Sequence, residues 1–365
     1  MKRSRTEEVI YAKLLKLAEK VGARGKLPTV RALCKSLSTS PSTLDRVLRR
    51  LEFERILNRV QGSGLYVSPL YKQRRIGVVF GWNLSDPTRF SRFWFLLYMA
   101  TARLTGAKED EMRTYFGFSM EEKTGIEPAA YALSDDIRSG TLSGFLTFGI
   151  GDEERLNWLK AAGLPIVSFS NPRDQDGVVD FDNLEIMKLG LAALRKQGCK
   201  NVALVWHSGS SRKIDPADPV VKGFRESCAA LGLDSSDRWL WGHSWLLAGH
   251  SWRSIEEASS MLVKQEMRRK VPDGIMFLDD TMAHGGLITL LEAGLLQKGN
   301  LKVAAVTHSG NALLQPFHRY LTRVQIDPAE IAEHMSNMLE DLLKGRPLKQ
   351  KLHFVSAKVF EAGSP

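Results

Sequence analysis

Ser40, Ser42, Thr43, Arg46 and Arg49 lie close together in the chain, and their side chains suit the holding of a polyanion rather than the making or breaking of bonds. Hydroxyl and guanidinium groups donate to phosphate oxygens, and guanidinium also matches the acceptor edge of guanine. A second set is dispersed: Trp82, Asp86, Phe148, Arg173, Trp206, Arg212, Asp280 and His308. Aromatic faces with carboxylate and guanidinium groups suit a polyhydroxylated ligand, the rings lying on C–H surfaces and the charges pairing with hydroxyls. Catalytic sets are weaker. Asp135-Asp136 and Asp279-Asp280 are adjacent carboxylates, whereas a glycoside-cleaving pair is assembled from separate strands. There is no Gly-x-Ser-x-Gly elbow, phosphate-binding glycine loop or His-Glu-x-x-His motif, and His243, Trp245 and His250 lack the spacing of a metal set. The expectation is a protein that is not an enzyme and needs no cofactor or metal.

The first set has a clear positioning element. Ser40 can cap free backbone N–H groups and Pro41 has the fixed φ of a first helical residue, so a helix starts there. Leu44, Val47, Leu48 and Leu51 recur on one face of it, leaving Ser42, Thr43, Arg46, Arg49 and Arg50 on the others. Upstream, Val30 to Leu37 is another short apolar-periodic stretch, separated from the cap by Ser38 and Thr39 alone. That is the layout of a helix-turn-helix whose second helix reads a groove. The β-prone runs Ile56 to Val60 and Leu65 to Val67 flank Gln61-Gly62-Ser63-Gly64, which predicts a hairpin beside the reader helix.

On these residues the module resembles the GntR family of winged-helix repressors. The resemblance is carried by Leu27-Pro28-Thr29-x-Arg31-x-Leu33, Ser40-x-Ser42-Thr43-Leu44, Leu48-Arg49-Arg50-Leu51-Glu52 and Gly62-Ser63-Gly64, and covers about the first fifth of the chain. It implies that Arg31 touches the DNA backbone, that Ser40, Ser42 and Thr43 lie at the groove, and that Gly62 lets the wing approach the minor groove. Arg46, Arg49 and the wing residue Arg59 complete the DNA-binding candidates. Two positions depart: Pro41 stands where many relatives are basic, and Asp45 where an arginine or polar residue is common. A carboxylate is unfavourable near phosphate but accepts from a cytosine amino group.

Charge agrees with a nucleic-acid partner. Residues 1–75 hold 18 Lys+Arg against 6 Asp+Glu, whereas the rest holds 33 against 35, so the formal net charge of +10 is concentrated in the small N-terminal part. Binding should therefore weaken steeply with salt. The 365 residues suit two or three folding units. Cys34, Cys199 and Cys228 are odd in number and far apart, which argues against disulfides and for buried thiols in a reducing cytoplasm. The longest apolar run, near Phe93 to Ala102, is too short to span a bilayer, so no membrane is expected as partner.

Ser68 to Arg75 breaks the pattern, giving a winged helix-turn-helix over 1–69, a linker over 70–75 and a two-lobed effector and dimerisation part over 76–365. Beyond the linker, strand-like runs alternate with helices: Ile76 to Phe80, then Phe90 to Leu104; Arg113 to Phe118, then Glu127 to Arg138; Gly144 to Phe148, then Glu153 to Ala162. Further strands are expected at Ile166 to Ser170, Val178 to Phe181, Val202 to Val205, Gly274 to Leu278 and Val303 to Val306. The class is α/β with doubly wound parallel sheets in two lobes. Asp182-Asn183 before a helix to Gly198, Lys222-Gly223-Phe224 opening another, and Pro272-Asp273-Gly274-Ile275 leading to Asp280-x-Met282-Ala283 resemble the effector domain of the lactose and galactose repressor family. That domain is itself similar to periplasmic sugar-binding proteins of the first type, and a GntR head joined to it is similar to arabinose-type repressors.

In such folds ligands bind beyond the carboxyl ends of strands, which selects the dispersed set named above. Val220 lies where the family commonly has arginine, with Arg212 as a substitute cation, and Thr307-His308-Ser309-Gly310 replaces a usual Gly-Phe-Asp-Asp turn. The expected whole is a cytoplasmic homodimeric repressor that binds a double-stranded operator under control of a small effector, a sugar. The competing reading is a carbohydrate-binding or carbohydrate-processing protein with a vestigial winged-helix head.

Overall fold

In a computed structural model, the described residues are 5–71, 73–81, 92–117, 128–151, 153–170, 176–207, 214–243 and 255–364. The chain divides into two compact units, Met1–Arg75 with Glu109–Glu111, and Ile76–Lys108 with Met112–Pro365.

The smaller unit holds α1 (Arg5–Val21), α2 (Val30–Leu37), α3 (Pro41–Phe53), β1 (Leu57–Val60) and β2 (Gly64–Val67). Its core is one layer of aliphatic side chains, each supplied at helical or strand spacing. Ile10, Leu14 and Ala18 come from α1, Leu33 from α2, Leu44, Val47, Leu48 and Leu51 from α3, and Leu57, Leu65 and Val67 from the hairpin. Thr29 caps α2, and Ser38 ends it in the left-handed region with φ 50°. Ser40 caps α3, accepting from Thr43 N, and Pro41 follows at the first turn. β1 and β2 are antiparallel, with Leu57 opposite Val67 and Val60 opposite Gly64. Residues 25–27 run beside β2, with Leu27 N donating to Leu65 O and Val67 N to Gly25 O.

The larger unit has two six-stranded sheets. The first has the order β13-β7-β6-β5-β3-β4 and the second β14-β12-β11-β10-β8-β9. In the first sheet β3 (Arg75–Phe80), β5 (Gly144–Phe148), β6 (Ile166–Phe169), β7 (Val178–Asp180) and β13 (Leu352–Phe354) pair in parallel, and β4 (Glu111–Tyr115) forms the edge. In the second, β8 (Val202–His207), β9 (Leu240–His243), β10 (Gly274–Phe277), β11 (Lys302–His308) and β12 (Leu321–Ile326) are parallel, and β14 (Lys358–Phe360) is antiparallel to β12. Every residue of β3, β5 and β10 is buried, as expected of strands covered on both faces.

The helices of this unit are α4 (Arg92–Ala107), α5 (Pro128–Arg138), α6 (Glu153–Lys160), α7 (Asn183–Lys196), α8 (Pro219–Leu231), α9 (Ile255–Arg269), α10 (Asp280–Glu292) and α11 (Pro328–Leu343). The chain leaves the first sheet after β7 through α7, returns after β12 through α11, and crosses again between β13 and β14. α11 packs on β5, β6 and β7 and against α4, whereas α7 packs on β10, β11 and β12. Asp182, Asp218, Asp279 and Asp327 cap α7, α8, α10 and α11, each accepting from backbone amides of the first turn. Lys222-Gly223-Phe224 therefore does not open a helix. α8 starts at Pro219, and Gly223 lies inside it, where an added Cβ would come within 2.5 Å of Leu184.

Candidate nucleic-acid interface and effector cleft

In the smaller unit α3 presents its polar side. Ser40 and Ser42 are exposed, and the Ser40 hydroxyl lies 3.1 Å from that of Ser42 and 2.9 Å from that of Thr43, a row of hydroxyls at the helix N-terminus. Arg31 in α2 is exposed and has no carboxylate partner among the described residues. Gly62, at φ +74°, turns the wing, and a Cβ there would meet nothing within 4 Å. Its role inside the chain is backbone conformation; the open space matters for whatever approaches from outside.

The other arginines are not free. Arg46 pairs with Glu7 of α1 at 3.2 Å. Arg49 Nε donates to Asp45 Oδ2 at 2.9 Å, and both terminal nitrogens of Arg59 donate to Asp45 Oδ1 at 3.0 Å. Arg59 Nε also donates to Glu52 Oε1 at 3.1 Å. The hydrogen bond from Arg59, with Arg49 adding its charge, holds the Asp45 carboxyl below the usual carboxylate range. Arg50 serves the fold: it pairs with Glu8 and Glu54 and lies 3.9 Å over the Tyr11 ring, fastening α3 to α1. Burial, helped by the Tyr11–Glu54 hydrogen bond, pushes the Tyr11 hydroxyl up to about 12.

In the larger unit the carboxyl ends of the two sheets bring unlike groups together. From the first lobe come aromatic rings: Phe93 lies 5.3 Å from Trp94, 5.8 Å from Phe169 and 6.3 Å from Phe181, centroid to centroid. From the second comes a buried polar cluster of Asp280, Thr307, His308 and Asn311. Phe93 joins the two, its centroid 6.0 Å from that of His308. Asn311 Nδ2 donates to Asp280 Oδ2 at 2.6 Å and to Thr307 Oγ1 at 3.0 Å, while its Oδ1 accepts from Leu313 N at 2.9 Å. His308 Nδ1 lies 3.0 Å from Ser309 O. A carbonyl only accepts, so Nδ1 carries the proton. Nε2 then faces Asp280 Oδ2 at 3.1 Å, buried, but without the alignment of a hydrogen bond. Asp279 beside it caps α10; burial, with the Asp280 charge second, pushes its carboxyl up against the two cap amides that hold it down.

The sequence expectations divide accordingly. Asp280 and His308 are in the cluster. Phe148 is fully buried at the end of β5, its ring stacked on Phe80 at 4.9 Å, so it packs rather than offering an open face. Trp206 is also buried, and its indole N–H has no hydrogen-bond partner among the described residues. Trp82, Asp86, Arg173 and Arg212 lie outside the described residues. Phe93, Phe169, Phe181 and Asn311 were not anticipated; the Thr307-His308-Ser309-Gly310-Asn311 turn was the signal for Asn311.

No helix among the described residues is long and apolar enough to cross a membrane, and no group of three or more metal-ligating side chains converges there. Residues 6–67 match the bacterial regulatory proteins of the gntR family, and residues 191–364 match the periplasmic binding protein-like domain. The first unit is thus a gntR-type DNA-binding domain, and the second a periplasmic-binding-protein-like domain. No curated protein matches the chain by sequence. Among solved structures, a regulatory protein of the LacI family from Chloroflexus aggregans is similar at 20% identity and TM-score 0.64, over 80% of this chain and 98% of that one. The transcriptional regulator CelR, solved with cellobiose, is similar at 15% identity and TM-score 0.62, over 90% and 92%. The Escherichia coli transcriptional repressor ascG is similar at 16% identity and TM-score 0.61, over 80% and 99%. At these identities the likeness establishes the fold.

Proposed function

We propose that this chain, a gntR-type head joined to a periplasmic-binding-protein-like sensor, is a transcriptional repressor whose operator affinity is set by a small polyhydroxylated effector, a sugar. The observation that carries the effector half is the meeting of Phe93 with His308 and, through it, with the Asp280–Asn311 pair. An aromatic wall against acceptor and amide groups matches a ligand with apolar C–H faces and hydroxyl edges. The relative solved with cellobiose supports that ligand class. On the DNA side, Arg31 and the Ser40, Ser42 and Thr43 hydroxyls contact the backbone and groove, with Gly62 at the wing tip.

The mechanism follows from differential affinity. An effector that favours one spacing of the two lobes shifts the population of a dimer whose two heads engage a two-fold operator. The protein acts in the cytoplasm, as a homodimer, and carries out no catalysis. Two single substitutions test the halves. Arg31→Ala should weaken duplex binding at least tenfold with the fold retained, and Asp280→Ala should abolish the effector response while leaving DNA binding in place. Undiminished DNA binding by the first, or an unaltered response in the second, would remove the corresponding assignment.

A further inference from the structure

Both oxygens of Asp45 are occupied by guanidinium groups, Oδ2 by Arg49 one turn further along α3 and Oδ1 by Arg59 reaching across from β1. Glu52, two turns along α3, takes the remaining Nε of Arg59. The pairs stand at the surface, with Arg49 77% and Arg59 42% exposed. Exposed ion pairs contribute little to folding, and the unit's core is built without them. A carboxylate and a phosphate compete for guanidinium with the same paired geometry, so what these contacts govern is the availability of two arginines to a polyanion.

We propose that Asp45, backed by Glu52, holds Arg49 and Arg59 off DNA phosphates and so trades non-specific affinity for base discrimination. The proposal rests on the DNA-binding reading of this unit. On an arbitrary duplex, each arginine that turns to a phosphate strips a partner from Asp45 and leaves its charge facing a polyanion. That loss is offset only where a base edge donates to the freed carboxylate, and the major-groove donors are the amino groups of cytosine and adenine. Asp45 is thus a positioning residue for Arg49 and Arg59 and a filter on sequence. Arg31, which has no carboxylate partner among the described residues, supplies the unconditional backbone contact.

The test uses the full chain and a mixed-sequence duplex of about 25 base pairs, with binding followed by fluorescence anisotropy across a salt series. Each arginine released to a phosphate adds a slope of about 0.9 in log affinity against log salt; Asp45→Asn releases Arg49 outright and leaves Arg59 held by Glu52 alone. Asp45→Asn should bind this duplex about tenfold tighter than wild type near 0.1 M salt, with a slope steeper by about 0.9 to 1.8. Glu52→Gln, which leaves Arg59 held by Asp45 alone and Arg49 undisturbed, should shift affinity in the same direction by less. Equal or weaker binding with an unchanged slope in both variants would overturn the proposal, and a mere helix-to-wing fastening predicts that weaker binding. Failure of the wild-type chain to bind any duplex would instead overturn the DNA-binding reading on which it stands.

Discussion

Replacing Asn311 by leucine is the sharpest perturbation of the cleft that leaves its charges in place. The substitution removes the 2.6 Å donation to Asp280, the 3.0 Å donation to Thr307 and the acceptor for Leu313 N. A buried hydrogen bond to a charged group contributes about 1.5–3 kcal/mol, and the two neutral ones about 1 kcal/mol each. Leucine is of similar size, and its apolar burial offsets about 1 kcal/mol, so the sensor should lose about 3 kcal/mol. For a unit of this size the urea dependence is near 3 kcal/mol per molar, which places the expected midpoint shift at about 1 M. The chain has two compact units, so the sensor transition is followed by itself in the near-ultraviolet signal. Asp280 also loses its orienting donor, and the response to effector should weaken at least tenfold. A midpoint shift below about 0.3 M with an unaltered response would refute the claim that Asn311 holds Asp280 for a ligand.

Gly285→Ala should destabilise the sensor by about 1–3 kcal/mol in the same urea assay, because its Cβ would stand 2.0 Å from the Glu256 carbonyl oxygen and force α9 and α10 apart. Unchanged stability would mean that these helices separate without cost. Burial pushes the Cys199 thiol up to about 11 and Cys228 up to about 12. At pH 8 both are therefore essentially unionised, and iodoacetamide should label the native protein at half-buried Cys34 well before either of them, as mass spectrometry of the peptides would reveal. Asp234 is held down to about 2 by hydrogen bonds from Ser236, then Trp239. A depressed carboxyl stabilises the fold above its ordinary range and loses that contribution as pH falls toward 2. Because the side chain is about one-third exposed, Asp234→Asn should cost only about 1 kcal/mol at pH 7, and the gap from wild type should close near pH 2. A gap that persists there would contradict this.

How much was legible depended on how local the signal is. The cap, periodicity and turn of α2, α3 and the wing are written in consecutive residues, and the fold places them within a residue or two of expectation. The buried strands β3, β5 and β10 stood out as short apolar runs, with Thr147 the single polar residue inside them once Arg75 has opened β3. β12 did not, because Thr322, Arg323 and Gln325 interrupt Leu321–Ile326 although the strand is almost wholly buried. β13 and β14 are three residues each and take their meaning from pairing with β7 and β12, which no local pattern announces. For the cleft, the strand-end rule picked Asp280 and His308, which the fold brings together, and also Phe148, whose ring stacks on Phe80 instead of offering an open face. It overlooked Asn311, which reaches Asp280 from beyond the turn that follows β11. The arginines of the reader helix and wing stand out as DNA candidates by charge and helical face, which do not reveal that Arg46 pairs with Glu7 of α1 and that Arg49 and the wing's Arg59 both pair with Asp45 of α3.

A regulator of the proposed kind couples, within one chain, a salt-sensitive DNA contact to a ligand in the sensor. The most direct measurement is the affinity of the full chain for operator-region duplex, titrated with mono- and disaccharides at several salt concentrations. Tight binding that falls steeply with salt and changes with at least one sugar is the expected result. Duplex binding indifferent to every sugar would contradict the proposed effector class, and no binding at all would contradict the regulator.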